Sequence, residues 1–215
     1  METRNLWKQN LGKVPDDVWQ QTRVSVLILA DNSLTELSPQ IGRLQNLRTL
    51  DLGHNRLAQL PDEIGSLEDL SDFLYLHDNQ LDSLPTSLAR LRKLRYLNIS
   101  ENRFTSLPDC ICSMSNLVEL RATDNQLSDL PHSIGNLSKL RELHLRNNAL
   151  RVLPAAIANL SELRQIDLRG NPLEALPEAL STLPKLEKLD LRWVNILKPP
   201  AWFDTIESRG CLIYR

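Results

Sequence analysis

Cysteine is scarce: Cys110, Cys112 and Cys211 are the three in a chain of 215 residues. They make no paired framework of the kind that staples a small secreted domain. No His and no second Cys pair stands at ligand spacing from the Cys110-x-Cys112 doublet, so neither a disulfide scaffold nor a zinc site follows. Glycine is sparse too, with 7 residues, and no Gly-rich phosphate loop, HExxH or GxSxG motif occurs. Charge of one sign is lacking, since 25 Lys+Arg face 27 Asp+Glu for a formal net charge of -2. That removes any bulk attraction to nucleic acid or to an anionic membrane, and no uninterrupted basic stripe restores it. No apolar run reaches the roughly 18 residues of a spanning helix, and the first residues, METRNLWKQN, hold no apolar signal core. The expectation is a soluble chain in a reducing, cytoplasmic compartment, with no nucleic acid partner, no membrane span and no cofactor.

What the chain has is a period. Units open at Val24, Leu47, Leu70, Leu94, Leu117, Leu140, Leu163 and Leu186, a step of 23 residues except for 24 between Leu70 and Leu94. Each unit reads LxxLxLxxNxL, then xxLPxxI, then xxLxx. The alternation at the third to seventh positions, as in TLDLG or ELHLR, predicts a short strand with Leu on one side and polar residues on the other. Such a strand is unstable alone. Units stacked at about 4.8 Å would pair their strands in parallel and merge their Leu columns into one core, which is a solenoid.

Two further columns agree. Asn32, Asn55, Asn79, Asn102, Asn125, Asn148 and Asn171 follow the strand and turn inward, where a buried amide must find backbone partners. Pro61, Pro85, Pro108, Pro131, Pro154 and Pro177 follow a Leu, with Pro39 shifted by one. A residue that breaks helices implies a return path of extended chain or short helical turns, hence a thin convex side.

With these residues in view, the chain resembles leucine-rich-repeat proteins, in particular the intracellular LPxxIxxLxxL subclass that includes Ras-associated scaffolds, plant relatives and bacterial members. The resemblance implies an α/β solenoid, a right-handed horseshoe with a parallel concave sheet, and implies recognition of a protein or peptide more often than catalysis. Residues 1–23 are expected to form an N-terminal capping half-repeat, with Trp7 and Trp19 covering the core, followed by repeats over 24–196. A closing segment at 197–215, irregular and similar to that of bacterial members, completes the chain, which is expected to be monomeric.

The residues expected to meet a partner lie at positions three, five, seven and eight of each unit, on the concave face. They are His54, Phe73, Tyr75, His77, Tyr96, Asn98, Arg121, His144, Arg146, Arg169 and Trp193. Aromatic residues are only 5% of the chain, so their gathering on adjacent strands is informative. If LYLHDNQL keeps register, the surplus residue lies between Leu70 and Leu74 as a bulge, and Phe73 becomes the ladder neighbour of Tyr96. Phe73 would then join Tyr75, Tyr96, His54 and His77 in one cluster, the kind of surface that anchors an interface. The alternative is that Phe73 tucks into the core.

Arg146, Arg169 and Arg192, interleaved with Glu142, Asp167 and Asp190, form either a self-neutralised face or a selector of a charged partner. Cys110 and Cys112 fall where other units carry Glu63 and Gly65 or Ser133 and Gly135, which is ordinary turn, and Cys211 reads as buried filler. The Asn-x-Ser triplets at Asn98, Asn136 and Asn159 match the N-glycosylation acceptor, but the last two recur because the repeat itself supplies NLS. Two roles are open: a non-catalytic binding module, or the targeting part of a bacterial effector or signalling enzyme system whose catalytic domain lies elsewhere.

Overall fold

Each unit puts its Leu pair on one side of a strand, and neither Leu is covered until another unit stacks upon it; the architecture meets that need. The computed structural model describes residues 2–195 and 199–215. Its sheet contains β1 (Glu2–Asn5), β2 (Val24–Ile28), β3 (Thr49–Asp51), β4 (Phe73–Tyr75) and β5 (Tyr96–Asn98). It continues through β6 (Glu119–Arg121), β7 (Glu142–His144), β8 (Gln165–Asp167), β9 (Lys188–Asp190) and β10 (Leu212–Tyr214), in sequence order. Every pairing is parallel. The central column Leu50, Leu74, Leu97, Leu120 and Leu143 is in register and fully buried.

Strands β3 to β9 are three residues long, shorter than the five-residue alternation suggests. The cause is position eight, which is left-handed in every repeat: Asp31, His54, Asp78, Glu101, Asp124 and Asn147 have φ of 58°, 53°, 50°, 55°, 54° and 53°. The chain turns out of the ladder there, although inter-unit bonds persist just beyond the strands, as in Leu52 N to Tyr75 O at 2.9 Å. A side chain with a Cβ tolerates this region only at some cost, least for Asn and Asp.

The return path is a single 3-10 turn per unit, as in Asp62–Ser66, Thr86–Arg90 and His132–Asn136. Pro61, Pro85 and Pro131 precede these turns in extended conformation, where a missing N–H costs nothing. The shifted Pro39 is instead the first residue of the turn Pro39–Arg43, and Ser38 caps it, its side chain accepting from Gln40 N at 3.2 Å. Gly65 recurs for a spatial reason: a Cβ there would strike the Ser87 carbonyl of the next turn.

The Asn column forms a ladder of its own. Asn102 Nδ2 donates to the carbonyls of Leu76 (2.9 Å), Ile99 (3.1 Å) and Ser100 (3.0 Å), and its Oδ1 accepts from Leu81 N at 2.9 Å. One side chain thereby satisfies backbone groups of two units that have left the sheet. Asn125 makes the same type of bonds, to Ile99 and Thr123, but is only half-buried.

The ends bring two corrections. Trp19 is in the core, whereas Trp7 is 57% exposed and covers nothing. It sits at the outward-facing seventh position, and the adjacent Leu6 takes the inward one. The closing segment is not irregular: it forms the helix α1 (Phe203–Glu207) and the edge strand β10, with Leu212 N donating to Glu187 O at 2.8 Å. Parallel pairing remains available on the outer edge of β9, while Phe203, Ile206 and Cys211 bury themselves against the last repeat. The expected boundary at 196/197 lies outside the described residues. No helix among the described residues is long and apolar enough to cross a membrane.

Candidate partner-binding face

The surplus residue of the third full unit is absorbed at Ser71 and Asp72. The Asp72 amide donates to Arg48 O on one side at 2.9 Å, and the Ser71 carbonyl accepts from Arg95 N on the other at 3.0 Å. Two residues therefore share the place that one occupies elsewhere, which is a bulge. Arg48 braces it, with Nε to Ser71 Oγ at 3.3 Å and a second nitrogen to Asp72 Oδ1 at 3.3 Å. Leu70 and Leu74, on either side, stay fully buried, and Phe73 points outward at 41% exposure. The alternative of a core Phe73 is ruled out by that exposure.

Phe73 pairs with Thr49 on one side and Tyr96 on the other. Its ring centroid lies 5.7 Å from that of Tyr75 and 5.4 Å from that of Tyr96, and Tyr75 and Tyr96 are 5.1 Å apart. Tyr75 touches His77 edge-on at 6.0 Å, and His77 meets His54 at 4.7 Å. The five expected residues thus form one contiguous patch over three strands, with ring spacings in the range of favourable aromatic contact. Beside Tyr96 a shallow hollow of about 250 Å³ is lined by Asp72, Phe73, Arg95, Val118 and Glu119.

His77 can lie flat only because its neighbour on the preceding strand is Gly53, where any Cβ would strike the imidazole. Burial, then the adjacent His54, holds the His77 pKa below its ordinary 6.5. His54 Nδ1 sits 2.6 Å from Asp78 Oδ2. Burial raises the phenol pKa of Tyr75, and that of Tyr96 to about 12, so both rings stay neutral.

The remaining candidates form a different surface. Arg121, His144, Arg146 and Arg169 line a polar hollow of about 270 Å³ with Gln165 and Lys188. The charges there are already matched: Arg121 with Glu119 at 2.5 Å, Arg146 with Asp124 at 3.2 Å, Arg169 with Asp167 at 2.6 Å and Arg192 with Asp190 at 2.8 Å. Three of these pairs join residues two apart in one unit, so neutralisation is more local than pairing across the ladder alone. Asn98 Oδ1 accepts from Ser100 N at 3.0 Å and borders Arg121 on the ladder. Trp193 lies apart on the rim, 73% exposed, left-handed at φ 64° and under the Arg169 guanidinium at 5.9 Å.

Glu119, Glu142 and His144 place three metal-capable atoms within 4.8 Å of one another, but Arg121 already occupies Glu119, and His144 Nε2 lies 3.2 Å from Glu142. Cys110, Cys112 and Cys211 are buried, and burial drives their thiol pKa upward, for Cys110 to about 11, which suppresses the reactive thiolate. The carboxylates Asp51, at position five opposite Tyr75, and Glu101, at position eight, flank the aromatic patch and were not among the expected residues. Their column positions are the signal that could have found them.

A family model described as leucine rich repeat matches residues 22–81 and 138–196, and one described as leucine-rich repeat region matches residues 72–148. No curated protein matches the sequence significantly. Among solved structures, the leucine-rich repeat domain of the type III effector XopL superposes with a TM-score of 0.84 at 27% identity, over 99% of this chain and 75% of that one. A Leptospira interrogans leucine-rich-repeat protein gives 0.78 at 26% identity, over 97% of this chain and 64% of that one. The plant peptide hormone receptor RGFR1, solved in complex with RGF2, gives 0.80 at 33% identity, over 91% of this chain and 32% of that one. The chain thus spans less than two thirds of the Leptospira protein and about a third of the receptor.

Proposed function

The chain belongs to the leucine-rich-repeat family, whose domains generally mediate binding of proteins or peptides, and from that premise we propose that it is a non-catalytic recognition module whose concave face is the binding site. The observation that carries the reading is the outward patch of Phe73, Tyr75 and Tyr96 on a sheet whose opposite face is fully buried Leu. Exposed aromatics on a rigid scaffold lose little conformational entropy on association, so a preformed patch of this kind supplies affinity without rearrangement. The polar half, with Arg121, His144, Arg146 and Arg169, supplies selection through charges whose existing partners a ligand must match or displace.

Within the family we place the chain in the LPxxI subclass, as a bacterial member acting as a monomer in the cytoplasm; the similarity to the Leptospira interrogans protein and to XopL supports the bacterial placement. A second reading is favoured by the effector domain in particular: the chain as the targeting part of an exported effector whose catalytic domain lies outside it. Affinity capture with mass spectrometry, run in parallel on the wild-type chain and on Tyr75→Ala/Tyr96→Ala, tests the site. Partners that the wild type retains and the variant loses support the concave face. Equal capture by both removes it.

A further inference from the structure

The concave face is two surfaces of different charge. On β2 to β5, the outward and rim positions carry Asp31, Asp51, Asp78 and Glu101 and not one Lys or Arg. On β6 to β9 the same positions carry five carboxylates and five Lys or Arg, and the close pairs described above neutralise most of them. The aromatic patch therefore lies wholly in the acidic half. Asp31 is answered by Lys8 at 3.6 Å and Asp78 by His54 at 2.6 Å. Asp51 and Glu101 have no cationic partner among the described residues, and Asp51 Oδ1 holds only the Gly53 amide at 3.0 Å. His77, its pKa lowered, adds no positive charge at neutral pH.

We propose that this half of the face takes a cationic peptide segment, its Lys or Arg side chains laid over the Tyr75 and Tyr96 rings and its charge answered by Asp51 and Glu101. The proposal rests on the concave face being a peptide or protein site and names the chemistry of its occupant. Three facts select that chemistry. The two Tyr rings are tilted 50° to one another and so do not cover each other's faces, while Phe73 lies nearly parallel to Tyr75, at 8° and 5.7 Å, as the apolar flank of the patch. Their phenols remain neutral, which leaves the ring faces as the negative pole of a quadrupole suited to a cation. Asp51 is the ladder partner of Tyr75 on the adjacent strand, and Glu101 stands at position eight of the following unit, close enough to His77 to act on it. An anionic segment would meet four carboxylates, and the nearest basic side chain of the sheet, Arg121, is already paired with Glu119. A neutral apolar one would leave Asp51 and Glu101 desolvated and unpaired, at a penalty. In the hollow beside Tyr96, Asp72 and Glu119 are already held by Arg48 and Arg121, and Arg95 lines the same hollow, so it suits the segment's apolar residue better than its charge.

The test is selection of displayed random octapeptides, balanced in Lys+Arg and Asp+Glu, on the whole chain, with counter-selection on Tyr75→Ala/Tyr96→Ala. Retained peptides enriched in Lys or Arg beside an apolar residue are the expected result. A synthetic peptide from that pool should lose about tenfold or more in affinity on Tyr75→Ala/Tyr96→Ala. It should also weaken several-fold on Asp51→Asn/Glu101→Gln, a near-isosteric pair of surface changes, and on raising salt from about 50 to 300 mM. Enrichment of acidic or uncharged peptides would overturn the cationic occupant while leaving the concave site standing. Failure to retain any peptide over the Tyr75→Ala/Tyr96→Ala control overturns both.

Discussion

Phe73 and Tyr96 are direct ladder partners with ring centroids 5.4 Å apart, although the Leu residues that open their units are separated by 24 positions where every other pair is separated by 23. The bulge at Ser71 and Asp72 takes up the difference before the strand begins, so the aromatic patch stays in register. Phe73 is thereby held outside the core by the same backbone that keeps Leu74 inside it.

Phe73→Ala should change stability by no more than about 1 kcal/mol, because a partly exposed side chain leaves no sealed cavity. Leu74→Ala, one residue on and fully buried, should cost about 2–5 kcal/mol. Urea denaturation of the two variants side by side measures the contrast. Equal losses would mean that Phe73 packs like a core residue.

Asn102→Ala removes four hydrogen bonds, two within its own turn and two to the preceding unit. The loss should be about 1–3 kcal/mol, the scale for buried backbone groups left unpaired. A denaturation midpoint equal to that of the wild type would show that water replaces the amide without penalty.

Gly53→Ala forces a methyl group into the space of the His77 ring and should destabilise the chain by about 1–3 kcal/mol. If the imidazole is the obstacle, the loss should shrink by more than half when His77→Ala is added, since the alanine vacates that space. A double-mutant cycle measures the coupling, and additive losses would place the strain in the backbone instead.

The His77 pKa carries a pH dependence whose sign is determined. Burial, then the neighbouring His54, lowers it, against the opposing pull of Asp51, Glu101 and Asp78. The folded-state value therefore lies below the unfolded 6.5. Above that pH both states are neutral at this residue and stability is undiminished. As pH falls from about 6.5 toward the folded value, the unfolded chain binds the proton first and stability declines. The fall in melting temperature between about pH 7.5 and 5.5 should be smaller in His77→Gln than in the wild type, and NMR titration of the His77 ring should give a midpoint below the ordinary 6.5.

A good deal of this molecule can be read along its sequence. A constant interval makes residues one period apart lateral neighbours, and alternation within the strand assigns each to the core or the open face. The Leu columns, the Asn ladder and the adjacency of Tyr75 and Tyr96 follow from those two rules alone, because stacking identical units fixes register before any side chain is placed. Only the tertiary structure decided that Phe73 faces outward, that Trp7 is exposed, that position eight is left-handed, and that the closing segment adds a strand. It also decided which carboxylates stay free: Asp167 and Asp190 are consumed by Arg residues of their own strands, while Asp51 and Glu101 are not. These outcomes turn on competition between partners a few ångströms apart and on which backbone groups an edge leaves unpaired. Spacing along a chain carries the first neighbour relationship but not the contest among neighbours.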